Sequence, residues 1–141
     1  MPFEVELGAM HGHISTAVLD PAGVNPRTII KMTDPWRLRV DWSLHGPLVP
    51  MIDGDWRVTA YLESMGPGPE ITLGTAVIDI GSGGTPDALG LEYQHTFNLA
   101  PNTPNVAGAY KLVTVITSVS ETGLPGPFAA FDEGPILQFY P

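Results

Sequence analysis

The chain has 141 residues, 43% of them hydrophobic and only 15% charged, with 16 Gly, 15 Pro and no Cys. Its formal net charge is −9, from 6 Lys+Arg against 15 Asp+Glu, and such a surface repels both a phosphate backbone and an anionic bilayer, which argues against nucleic-acid and membrane partners. The lack of cysteine excludes disulfides and thiolate metal sites, and the length is that of one domain able to bury a core without staples.

A charged fraction well under the roughly 25% of an average domain, joined to so much Gly and Pro, suits short strands linked by turns rather than surface helices. The opening "MPFEVELGAM" lacks a basic start and an apolar core, so it does not read as a signal peptide. No apolar run reaches the 18 or so residues of a membrane-spanning helix. A cytoplasmic or particle-associated location is the expectation.

In chain order, Phe3, Val5 and Leu7 alternate with Glu4 and Glu6, and period-2 alternation reads as a half-buried strand. Residues 13–19, "HISTAVL", form a second strand, closed by "DPAG". The clearest is "WRLRVDWSLH", with Trp36, Leu38, Val40, Trp42 and Leu44 on one face. Past the turn "DGD", Trp56, Val58, Ala60 and Leu62 repeat the pattern until the two prolines of "GPGPE" remove backbone donors. "ITLGTAVIDI" and "LEYQHTFNLA" follow, separated by "GSGGTPDALG". The last two strands are "AGAYKLVTVITSVS" and "FAAFDEGPILQFY", the second carrying a bulge where Glu133-Gly134-Pro135 interrupts a pattern that then resumes.

The placing of Trp42, Trp56 and "AGAYKL" resembles an immunoglobulin-like or fibronectin type III β-sandwich. Trp42 matches a strand B tryptophan and Trp56 the start of strand C. Tyr110 matches the tyrosine corner before strand F, and Leu112 takes the place of an antibody domain's second cysteine. The resemblance, over residues 36–140 or so, implies an all-β, antiparallel immunoglobulin-like sandwich of about seven to nine strands, and the length makes residues 1–141 one such domain. Residues 1–34 then form N-terminal strands and a connection, and residues 35–141 the core sandwich. The chain departs from the pattern in having no Cys pair, a long E–F connection and extra N-terminal strands.

On that reading strand F has two apolar faces. Tyr110, Leu112 and Ile116 enter the core, which leaves Val113, Val115 and Val119 outside, with Tyr61 beside them on strand C and Phe131 on strand G. An antiparallel sheet ordinarily keeps one face polar, and a contiguous apolar outer face marks an interaction site. The expectation is a non-catalytic structural or interaction module that self-associates or docks on a protein partner through Tyr61, Val113, Val115, Val119 and Phe131. The N-terminal segment folding over this face, or plain β-propensity, accounts for the same pattern. A glycan or small-ligand module using end loops is the alternative function.

Catalytic chemistry finds little support. His11 and His13, two apart on a strand, point the same way and could share a metal only with ligands from elsewhere. His95 lies on an apolar parity and reads as a core histidine bonded to backbone, and His45 ends a strand among solvated positions. Asp132 and Glu133 are adjacent and face opposite ways, a poor arrangement for paired acid/base work. "GSGG" lacks the ending of a phosphate loop, and no nucleophile elbow is present. Trp36, Trp56 and Tyr61 would make a sugar-stacking platform, but both tryptophans sit on the buried parity. No catalytic residue, cofactor or metal is therefore assigned.

Overall fold

A computed structural model describes residues 4–5, 10–22 and 27–141. The alternation of Phe3, Val5 and Leu7 lies outside the described residues apart from the backbone of Glu4–Val5. Ten strands follow in chain order: β1 (Glu4–Val5), β2 (His11–Leu19), β3 (Ile29–Lys31), β4 (Trp36–His45), β5 (Asp55–Ser64), β6 (Ile71–Asp79), β7 (Thr85–Pro86), β8 (Gly90–Leu99), β9 (Gly108–Val119) and β10 (Pro125–Tyr140). A short 3-10 turn at Val49–Met51 lies between β4 and β5. The strands form two sheets, a six-stranded one ordered β1-β10-β9-β5-β6, with β3 also paired to β10, and a four-stranded one ordered β2-β4-β8-β7. All pairings are antiparallel except β3 on β10. The fold is an all-β sandwich.

The seven long strands are those whose alternation stands out in the sequence, and the reason is visible in their burial. Trp56, Val58, Ala60 and Leu62 of β5 are fully buried, as are Leu38, Val40 and Leu44 of β4. β2 runs along the whole of β4 and adds Ile14 and Val18 to the same cluster. Trp42 from one sheet meets Trp56 from the other edge-on, with ring centres 6.5 Å apart, and Tyr93 stacks on Trp42 at 5.4 Å. Each fully buried side chain of this size is worth about 1.5–3 kcal/mol of apolar transfer, so the aromatic centre dominates the packing.

Neither β3 nor β7 is legible as a strand in the sequence, being too short to alternate. β10 carries the expected bulge. Its register slips between Glu133 and Ile136, where two residues, Gly134 and Pro135, stand against the single Leu112 of β9. The extra residue changes which parity faces inward, so Phe128 and Ala130 are buried before the bulge and Leu137 and Phe139 after it. Without that insertion Gln138 and Tyr140 would enter the core.

Candidate functional site

The six-stranded sheet turns one row of side chains after another away from the core. Phe131, Val115, Thr59 and Thr75 lie side by side across β10, β9, β5 and β6, and Glu133, Val113 and Tyr61 form the next row. Val119 is at the end of β9, opposite Asp55 and Pro125. All five sequence-derived interface residues thus share one face. They are not equally available. Phe131 is 37% exposed, whereas Val113 is only 5% exposed although it points outward. Its direct neighbours are Tyr61 and Glu133, and the Glu133 carboxylate pairs with Lys111 Nζ at 2.8 Å along the same edge. Val113 is therefore already covered within this chain, and of the five Tyr61, Val115, Val119 and Phe131 remain at least partly exposed.

Apolar surface is concentrated here. Of the ten large hydrophobic side chains exposed among the described residues, five (Ile29, Val77, Phe131, Ile136 and Tyr140) stand on this face or its β3 extension. The other five lie in loops and turns. The outer face of the four-stranded sheet is of opposite character. Arg39 pairs with Asp41 at 3.0 Å, and the Gln94 side-chain amide donates to the other Asp41 oxygen at 2.9 Å.

At one end of that polar face the structure gathers side chains that sequence spacing does not connect. β2 and β4 place His11 opposite His45, and their rings meet edge-on with centres 5.5 Å apart. His45 Nε2 lies 3.1 Å from Asp87 Oδ2 and 3.6 Å from Glu92 Oε1. One ligand atom from each of His45, Asp87 and Glu92 falls within 4.8 Å of the others. His45 is thus not simply a solvated strand end; its side chain is 16% exposed. Asp87 sits in the tight turn between β7 and β8, where its Oδ1 accepts from the Leu89 and Gly90 amides at 2.7 and 2.8 Å. Those contacts, the Leu89 amide first, hold its carboxyl at about 2. Asp87, 42 residues after His45, and Glu92, further on still, carry no sequence signal that would have joined them to it.

The remaining candidates separate. His95 is half-buried, with its ring edge-on to Phe97 at 4.6 Å. It has no hydrogen-bond partner among the described residues, which corrects the expected backbone bond, and burial lowers its pKa. Asp132 faces the other sheet and accepts from Thr16 Oγ1 at 2.8 Å while Glu133 faces out, so the two acids diverge as expected. Trp36 and Trp56 are buried, which removes the sugar platform. An end-loop cavity of about 460 Å³, lined by Pro47, Val49, Ile52, Pro86, Asp87 and Leu91 among others, contains no aromatic ring.

No protein-family model matches the chain, and no curated protein matches it. Among solved structures, the C-terminal domain of Wzt superposes with a TM-score of 0.61 at 14% identity, over 99% of this chain and 77% of that one. A β-glucosidase from Listeria innocua in complex with glucose superposes with a TM-score of 0.51 at 10% identity, over 92% of this chain but only 16% of the enzyme. The β-glucosidase EmGH1 from Erythrobacter marinus gives 0.50 at 13% identity, again over 16% of its length. At these identities the likeness is one of fold, a two-sheet β-sandwich.

Proposed function

We propose that this domain is a non-catalytic interaction module of immunoglobulin-like design that self-associates through the outer face of its six-stranded sheet. The immunoglobulin-like part is supported by strand order. β2-β4-β8-β7 corresponds to the A-B-E-D sheet of such folds, and β10-β9-β5-β6 to G-F-C with a C′ edge. Tyr110 supports it too, because its hydroxyl donates to the Val106 carbonyl at 2.7 Å, four residues upstream, as a tyrosine corner does.

The observation that carries the interaction reading is the asymmetry of the two outer faces. One is polar and internally paired, while the other displays Val115, Phe131, Ile136, Val77 and Tyr140. Covering a few hundred Å² of such surface is worth several kcal/mol at about 25 cal/mol per Å², before the costs of association. Charge favours a second copy as occupant. In a chain of net charge −9, Lys31, Arg57 and Lys111 stand on this face against Asp55, Glu63, Asp79 and Glu133. That near-balance lets two copies meet here without the repulsion their remaining surfaces would impose. A two-fold, self-complementary contact is the simplest closed arrangement.

Val115→Glu places a charge at the centre of the face without entering the core. The expected outcome is a wild-type dimer by light scattering and a monomeric variant with a nearly unchanged melting temperature. Val113→Glu, by contrast, should lower the melting temperature, since that side chain is buried. A wild-type chain that stays monomeric up to millimolar concentration would sink the self-association reading.

A further inference from the structure

We propose that the end of the four-stranded sheet is a binding site for a divalent transition-metal ion of the zinc class, held by His45, Asp87 and Glu92 with the fourth position left to solvent. The site lies on the opposite outer face from the proposed dimer contact and does not rest on that reading.

The geometry fits a tetrahedral ion. With metal–ligand bonds of about 2.0–2.2 Å, neighbouring ligand atoms are separated by about 3.3 Å. The His45 Nε2 distances to Asp87 Oδ2 and Glu92 Oε1, 3.1 and 3.6 Å, bracket that value. His11 packs edge-on against His45 from β2, with ring centres 5.5 Å apart at 72°, on the side away from the two carboxylates, and stands outside the group of converging ligand atoms. Three of the four histidines of the chain, His11, His13 and His45, lie on this face, and His13 is in register with Ser43, the residue opposite Glu92.

Charge and orientation point the same way. Neither Asp87 nor Glu92 has a lysine or arginine partner among the described residues, and both converge on His45. Like charges so close disfavour each other unless a cation joins them. Asp87 is also held from behind. Its Oδ1 takes the Leu89 and Gly90 amides, which leaves Oδ2 aimed at the cluster, as outer contacts orient carboxylate ligands in metal sites. Imidazole with carboxylate and no thiolate favours Zn²⁺ or Cu²⁺ over the all-oxygen preference of Ca²⁺ and Mg²⁺.

The test is titration of the intact chain with Zn²⁺ alone by calorimetry at neutral pH, with Co²⁺ as a spectroscopic reporter of a tetrahedral site. The expected result is one ion per chain, with affinity falling at least tenfold in His45→Ala and in Asp87→Asn. The asparagine keeps the Oδ1 acceptor of the turn, so its loss reports on the ion rather than on folding. Glu92→Gln, on the exposed surface, serves if His45→Ala fails to fold. His95→Ala, whose imidazole faces inward, should bind as wild type does. No uptake by the wild type, or uptake that persists in both Asp87→Asn and Glu92→Gln, overturns the site. Affinity lost tenfold in His11→Ala would overturn the three-ligand assignment.

Discussion

His95 shows how one side chain couples the core to pH. Its imidazole is half-buried against Phe97, opposite Val40 of β4, and burial alone, with no charged neighbour contributing, lowers its pKa from the usual 6.5. The unfolded chain therefore takes up the proton first as pH falls. Stability attached to His95 is complete above the unfolded value, declines as pH drops from there through the lower folded value, and is flat beyond it. Urea unfolding followed from about pH 7.5 to about pH 5 should show this decline. In His95→Gln the difference between the two ends of that range should be smaller. An identical pH profile in both proteins would mean that the ring is solvated in the native state. Val113 teaches a related lesson at the same scale. Parity puts it outside, yet its cross-strand neighbours Tyr61 and Glu133 cover it, because a β-strand pattern gives direction and not the height of the side chains alongside.

At the scale of elements, the connection between β8 and β9 crosses from one sheet to the other, and Tyr110 anchors it. Tyr110→Phe removes a 2.7 Å bond to the Val106 carbonyl. Because Val106 is itself exposed, water can replace the lost donor, so the cost should sit near about 1 kcal/mol rather than the larger penalty of an orphaned buried group. Denaturant unfolding measures it, and a neutral result would mean that the Tyr110–Val106 bond adds nothing to stability. The burial of Tyr110 was readable in "AGAYKL", since it shares the parity of Leu112 and Ile116; its bond to Val106 was not, because it depends on how the connection folds back. The seven long strands were readable for the equally local reason that alternation needs only a handful of residues. β3 and β7 were not, since three and two residues are held by register with distant partners. The bulge in β10 was legible through Gly134-Pro135, but the parity beyond it depended on how many residues the bulge absorbs, which local sequence does not encode.

Over the whole molecule, the two outer faces belong to different sheets, with a core of Trp42, Trp56, Tyr93 and Leu112 between them. The apolar face could be traced from sequence because each strand contributes its own parity. The histidine–carboxylate cluster could not, since it needs the register of β4 on β8 as well as the turn that carries Asp87. The same separation makes a final prediction about energetic coupling. Sites without shared partners act additively, and a close-packed interior transmits a signal only where some element has two arrangements. A side-chain hydrogen bond between strands of the two sheets runs from Thr16 to Asp132, and neither residue touches His45, whose partners Asp87 and Glu92 belong to the four-stranded sheet and its turn. Val115→Glu should therefore bind Zn²⁺ as the wild type does, within about twofold. His45→Ala should in turn dimerise as the wild type does, with or without the ion. Titrating Zn²⁺ into the Val115→Glu monomer, and sizing the His45→Ala chain across the same concentrations, reads both halves of the cycle. A dimer constant that moves tenfold on adding the ion would show that linkage runs through the sandwich, and by reciprocity the ion would then bind the dimer tenfold differently from the monomer.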